Sequence, residues 1–280
     1  MKFFIQIMEK NQKYITDIVL CLKSFILKIN EKQLKEIFEM LLSYINEKND
    51  NKEFILVNSV IVIEIFNTLL DIIHDIFVDG YFTKYKNIII QLINLSNGYI
   101  FKDNNKDRLG KKRERTIEED EYFNYYKLSC LLLENVKLNF QYSKGKLLVE
   151  TQEELFDPII EQYKLSDDIN KMMEYYNSSI ENCVLEMFKN IQSDDLFKEL
   201  NDELLNLIRE DSYVTKILVL KTIKMSLETL KERYLTQVAD IVPYVSELLE
   251  DSNSEVKKLA VDLLKFIEKL TGESYQSYLE

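Results

Sequence analysis

The chain has 280 residues, a formal net charge of −12 and a hydrophobic content of 46%, with only 5 glycines and 2 prolines. So few turn residues argue against sheet-rich folds and α/β enzymes, and the negative charge disfavours electrostatic binding of the chain as a whole to nucleic acid or to an anionic membrane surface. Three cysteines, Cys21, Cys130 and Cys183, form no C-x-x-C pair; an odd, scattered set gives neither a disulfide framework nor a zinc site and points to a reducing compartment.

The opening apolar run stops at Glu9-Lys10, too short for a signal peptide. Near residues 31–46, Leu34, Ile37, Phe38, Leu41 and Ile45 follow i, i+3, i+4, i+7 spacing and predict an amphipathic helix. Segments near 53–78 and 80–95 carry little polar surface, as inner helices do. Glu64, Asp71 and Asp75 interrupt the first of them, so it reads as a buried helix and not a membrane span. It holds the single histidine, His74. On a helix Asp75 points about 100° away from it, so the two form no dyad, and no second histidine exists to complete a triad or a metal set. His74 is expected to pack.

A stretch rich in Asn, Asp, Lys and Arg then breaks the pattern. It divides the chain into an N-terminal helical-repeat segment, 1–96, a charged loop expected to be disordered, 97–121, and C-terminal repeats with a terminal cap, 122–280. Within the loop, Lys111, Lys112, Arg113 and Arg115 are candidates for a nuclear-import signal or a phosphate-contacting arm. The alternative is a solvated linker, because the adjoining Glu118-Glu119-Asp120-Glu121 cancels part of their field.

From Tyr122 helical pattern runs to Leu270, with interruptions near Ser143–Val149 and Leu165–Asp168. The acidic pairs Asp167-Asp168 and Asp194-Asp195 fall at expected helix starts, where negative charge suits the macrodipole. Val238, Ile241, Val242, Val245, Leu248 and Leu249 form one apolar stripe; Val256, Leu259, Ala260, Leu263, Leu264, Ile267 and Leu270 form the next. Between them Ser252 and Glu255 fit a capping box, and Lys269 with Gly272 supplies a helix stop. That is a helical hairpin. The turn Asp211-Ser212 recurs as Asp251-Ser252 and Val214 as Val256, a period of about 40 residues with two helices per unit, as in HEAT and armadillo repeats. The expected fold is therefore an all-α, HEAT/armadillo-like α-solenoid of antiparallel helix pairs, with Pro243 kinking the first helix of the last unit; an irregular bundle is the alternative. Tyr275, Tyr278 and Leu279 in the last residues are expected to fold back over the open end. With no G-x-G-x-x-G or G-x-x-x-x-G-K-[ST] element, no catalytic residue, metal ligand or cofactor is assigned.

The C-terminal stretch resembles a known family. Tyr234-Leu235, the run Ile241-Val242-Pro243-Tyr244-Val245-Ser246-Glu247-Leu248-Leu249-Glu250-Asp251, and Gly272-Glu273-Ser274-Tyr275-Gln276-Ser277-Tyr278-Leu279 look like the C-terminal end of the large HEAT-repeat subunit of the small-subunit processome, a member of its UTP-A subcomplex. Asp157-Pro158 with Gln162 resembles the family's D-P-L-V-x-Q helix, and Leu196-Phe197-Lys198-Glu199-Leu200-Asn201 its L-W-K-P-L-N element. The match is good from Glu121 onward and vaguer over Lys13 to Leu95. Family members are much longer solenoids, of which this chain covers the C-terminal portion. The resemblance implies a non-catalytic scaffold in nucleolar processome assembly and pre-18S rRNA processing. Its implied partners are processome proteins, chiefly other UTP-A subunits, with pre-rRNA or snoRNA ribonucleoprotein reached indirectly and no membrane or small-molecule substrate. Without the resemblance, a generic HEAT-repeat adaptor for complexes in transport or signalling fits the residues equally.

Overall fold

The Ile/Leu/Lys/Glu stretches fold into helices, as their periodicity dictates. The computed structural model describes residues 15–47, 52–107, 118–165 and 171–274, and no strand occurs among them. The architecture is an all-α helical repeat, organised as two compact units, Met1–Lys146 and Leu147–Glu280. None of the described helices is long and apolar enough to cross a membrane.

The N-terminal unit contains α1 (Ile15–Ile26), α2 (Glu31–Glu47), α3 (Lys52–Asp107) and α4 (Glu118–Ser143). Asn30 and Gln33 make a reciprocal capping box at the start of α2: each side chain accepts the other's backbone amide at 3.0 Å. The predicted stripe of α2 is the face turned inward, with Leu34, Phe38 and Leu41 at 3%, 1% and 0% exposure. Helix α3 folds back on itself. Ile73 leaves helical geometry (φ −130°, ψ 36°), and beyond it Tyr85 meets Phe66 with ring centroids 4.7 Å apart. On one straight helix those rings would lie about 28 Å apart. The two inner helices expected at 53–78 and 80–95 are thus present, but the reversal falls at Ile73, so the arms are 52–72 and 74–107. The second arm continues through Asp107, so residues 97–107 are helix and not loop, and α4 already begins at Glu118. Nor does the chain divide within 97–121, since the compact units meet at Lys146.

Amide side chains fasten α4 to both arms. Asn67 donates to the Leu131 carbonyl at 2.9 Å and accepts from Asn135 at 2.7 Å, and Asn139 donates to the Tyr85 hydroxyl at 3.0 Å. His74 stacks on Tyr142 at 4.4 Å, the packing role expected of it. The unit closes on the turn Lys144-Gly145, both with positive φ (51° and 80°).

The C-terminal unit shows the repeat plainly. First helices are α5 (Val149–Glu161), α7 (Asp194–Asn206) and α10 (Val238–Glu247); second helices are α6 (Lys171–Asn190), α8 (Tyr213–Leu230) and α11 (Ser254–Thr271), with the single turn α9 (Glu232–Leu235) between α8 and α10. Each first helix ends in a 3₁₀ turn, at Gln162–Leu165, Leu207–Arg209 and Leu248–Glu250. Three helix pairs at intervals of about 40 residues are the HEAT/armadillo construction. The second helices stack side by side, α6 on α8 and α8 on α11.

Caps set the register. The Ser193 hydroxyl accepts the Leu196 amide, placing Asp194-Asp195 in the first turn of α7 as anticipated. The Ser212 hydroxyl accepts the Thr215 amide. The cap of α11, however, is Asn253, which accepts the amides of Glu255 and Val256; Ser252 with Glu255 is not the cap. The Asp251 carboxylate takes the Asn253 amide at 2.8 Å and so carries the turn one residue further before the helix begins. Ser212 therefore corresponds to Asn253, and Thr215, not Val214, to Val256. Both are fully buried. Gly272 ends α11 with φ 74°, the left-handed stop expected of it. Pro243 lies inside α10 with an exposed ring, and the helix runs on through it.

Replacing fully buried Val256 with Asp strands an unpaired carboxyl in the last hairpin. The expected loss is on the order of 4 kcal/mol, read as a large fall in Tm, whereas Lys258→Ala on the exposed side should leave Tm almost unchanged. Equal melting temperatures for the two variants would refute this packing.

Candidate interaction surface

The candidate residues singled out in the sequence take up different stations. Lys111, Lys112, Arg113 and Arg115 lie outside the described residues, as do Gln276 and Tyr278. Asp157 is exposed on α5, while its neighbour Pro158 is buried. Buried Gln162 accepts the Tyr176 hydroxyl at 2.5 Å, and Val256 is core. Apart from Asp157 and Pro243, which are exposed, the motif residues described act on packing and register more than on solvent. Among the described residues no group of His, Cys, Asp and Glu could hold a metal ion.

What a partner would meet in the C-terminal unit is two faces of opposite charge. The first helices and their turns carry the acids. On α5, Glu150, Glu153, Glu154 and Asp157 are exposed; on α7, Asp194, Asp195 and Glu199 are. Burial raises the Glu203 carboxyl above the usual range, and the charges of Asp157, Glu199 and Asp202 raise it further, which places these four acids within one field across α5 and α7. Cations on this face are consumed. Lys164 sits between Glu161 (2.8 Å) and Glu210 (3.2 Å), Lys198 faces Asp240 at 3.7 Å, and Arg209 pairs with Glu247 at 3.1 Å while lying over the Tyr244 ring.

The second helices differ. Lys221 and Lys224 are exposed on α8, and Lys258, Lys265 and Lys269 on α11. Of the five, Lys221 stands in the field of the Glu181 carboxylate on α6, and the other four make no ion pair with a described carboxylate. Lys224 instead lies over the half-buried Phe266 ring at 5.9 Å, which ties the lysines of α8 to those of α11. Sequence reasoning passed over this row because acids interrupt it along the chain. The signal was the spacing of Lys258, Lys265 and Lys269, at i, i+7 and i+11, opposite the stripe led by Val256.

One ion pair is part-buried rather than displayed. Lys216 on α8 reaches Asp251 at 2.6 Å, with side chains 16% and 6% exposed. Burial alone would raise the Asp251 carboxyl. The Lys216 hydrogen bond, the Asn253 amide and the charges of Lys216 and Lys257 outweigh it and hold the group below its ordinary value. Glu210 occupies the same station after the preceding 3₁₀ turn and likewise takes a lysine of the preceding repeat, Lys164.

No family model matches the chain. It is similar to human HEAT repeat-containing protein 1, at 24% identity over 270 residues, 93% of this chain and 12% of that protein. A U3 small nucleolar RNA-associated protein 10 from Scheffersomyces stipitis aligns at 23% identity over 271 residues, 93% of this chain and 13% of the relative. An uncharacterised Arabidopsis thaliana protein aligns at 33% identity over 162 residues, 54% of this chain and 7% of the relative. The chain thus spans about an eighth or less of the length of these relatives.

Because its folded value is lowered, the Asp251 carboxylate stabilises the unit fully above its ordinary value of about 3.8, and that contribution is lost as pH falls through the lower folded value. Asp251→Asn should cost about 3 kcal/mol at neutral pH and flatten the acid limb of a Tm-against-pH curve. Lys198→Ala, at an exposed pair, should cost under about 1 kcal/mol. An unchanged acid limb in Asp251→Asn would refute the assignment.

Proposed function

We propose that the chain is a non-catalytic helical-repeat scaffold acting in nucleolar assembly of the small-subunit processome and in pre-18S rRNA processing. The observation that carries this reading is alignment over 93% of the chain with proteins named for HEAT repeats and for U3 small nucleolar RNA association. The structure is consistent with it: within the C-terminal unit each helix pair rests on the next, so its core leaves both helix layers free to hold partners. The partners are other processome proteins, chiefly those of the UTP-A subcomplex, with pre-rRNA or snoRNA ribonucleoprotein alongside. In this reading the segment between α3 and α4 supplies the import signal through Lys111, Lys112, Arg113 and Arg115.

The test is gradient sedimentation and fractionation of the tagged full chain from its own cells. The protein is expected in nucleolar particles containing pre-rRNA and processome proteins. A soluble cytosolic pool free of pre-rRNA would overturn the reading in favour of a general HEAT-repeat adaptor. Changing Lys111, Lys112, Arg113 and Arg115 to Ala should reduce nucleolar accumulation while altering stability by no more than about 0.5 kcal/mol per residue. Unchanged accumulation would make the segment a plain linker.

A further inference from the structure

The net charge of −12 conceals a local excess of the opposite sign. On α8 and α11, Lys221, Lys224, Lys258, Lys265 and Lys269 face solvent, against Glu228, Glu255 and Asp262 as the exposed acids of the two helices. Cations on the opposite layer are each neutralised by a carboxylate. Lys224, Lys258, Lys265 and Lys269 have no such partner among the described carboxylates, and Lys221 stands only in the field of the half-buried Glu181 of α6, so most of this charge is available to a ligand. Lys258, Lys265 and Lys269 lie in one line on α11, spanning about 16 Å. The lysines of α8 form a second line roughly 10 Å away. The Lys224 contact with Phe266 puts an aromatic ring between the two lines.

We propose that this lysine surface binds a single RNA strand through its phosphates, with Phe266 offering a stacking surface between them; the proposal rests on the reading above for the kind of polyanion. Two rows of separate ammonium groups follow the regularly spaced charges of a phosphate backbone, and an interleaved ring adds sequence-tolerant contact with bases. The carboxylates of α5 and α7 repel the same strand and restrict it to the lysine side. An acidic protein segment is the rival occupant, and its carboxylates would have less use for the ring.

The experiment uses the full chain with Lys111, Lys112, Arg113 and Arg115 changed to Ala, so that this segment contributes nothing. A fluorescein-labelled single-stranded RNA of mixed sequence is titrated by anisotropy at several salt concentrations, with polyglutamate as competitor. In that background, Ala at Lys221, Lys224, Lys258, Lys265 and Lys269 should weaken binding at least about tenfold and reduce the salt slope by about one for each phosphate no longer neutralised. Arg at the same five positions should restore binding, and Lys198→Ala on the other layer should match the parent. Circular dichroism and Tm verify that every variant is folded. Absence of RNA binding in the background protein, full binding by the Ala variant, or failure of Arg to restore it would each overturn the proposal. Displacement of RNA by polyglutamate at equal charge concentration would overturn it in favour of an acidic protein. Persistence in nucleolar particles without this RNA affinity would remove the inference and leave the scaffold role standing.

Discussion

The guanidinium of Arg233 donates to the carbonyls of Phe188 and Ile191 at the C-terminal end of α6 and lies 4.5 Å from the Phe197 ring centroid of α7. A cation at a helix C-terminus satisfies orphan carbonyls and opposes the negative end of the macrodipole. Next to it the rings of Phe188, Phe197 and Tyr234 pack with centroids 5.0 to 5.8 Å apart, and the Tyr234 hydroxyl donates to Asn201 at 2.9 Å. One short turn, α9, thus binds the second helix of one repeat and the first helix of the next to the segment that leads into the third. The stacking of the C-terminal helix pairs depends on this junction. Lys231, with φ 49° and ψ −122°, turns the chain sharply enough to deliver Arg233 and Tyr234 there. Such backbone costs about 1–3 kcal/mol and persists because the junction fixes it.

Buried hydroxyls and amides set register throughout the C-terminal unit. The Tyr163 hydroxyl pairs with Thr222 at 2.9 Å, Thr215 donates to the Tyr163 carbonyl at 3.1 Å, and the Tyr176 hydroxyl donates to Gln162. Apolar stripes alone permit one helix to slide along another by a turn. A buried hydroxyl with a single acceptor does not, since sliding would strand it. Burial accordingly raises the hydroxyls of Tyr163 and Tyr234 well above their ordinary value. These tyrosines serve as neutral donors, fixing which turn meets which.

Charge follows the two layers of the repeat. A first helix presents its polar face to one side and a second helix to the other, so acids concentrated on first helices and lysines on the last two second helices produce faces of opposite sign. Net charge is a property of composition and is blind to this. Embedded among acids, Lys164, Lys198 and Arg209 spend their charge within the protein, as Lys216 does with Asp251, whereas Lys224 on α8 and Lys258, Lys265 and Lys269 on α11 project theirs outward.

The sequence by itself determined the elements and the repeat. Period-3.6 apolar spacing, scarce Gly and Pro, and a turn recurring after about 40 residues fix antiparallel helix pairs, because an amphipathic helix must bury its stripe against a neighbour close in the chain. Local rules also placed the stop at Gly272 and the first turn of α7 at Asp194-Asp195. Tertiary structure decided what depends on residues remote in the chain. The cap at Asn253 and not Ser252 follows from a carboxylate that also receives Lys216, 35 positions earlier. The reversal at Ile73, and not near Gly80, is accompanied by ring and amide contacts that join the arms of α3 to each other and to α4. The continuation of helix through 97–107 runs against a polar composition whose side chains favour turns only as a local tendency. The two charged faces likewise arise only when helices some 40 residues apart stack in register, since electrostatic fields add in space and not along the sequence.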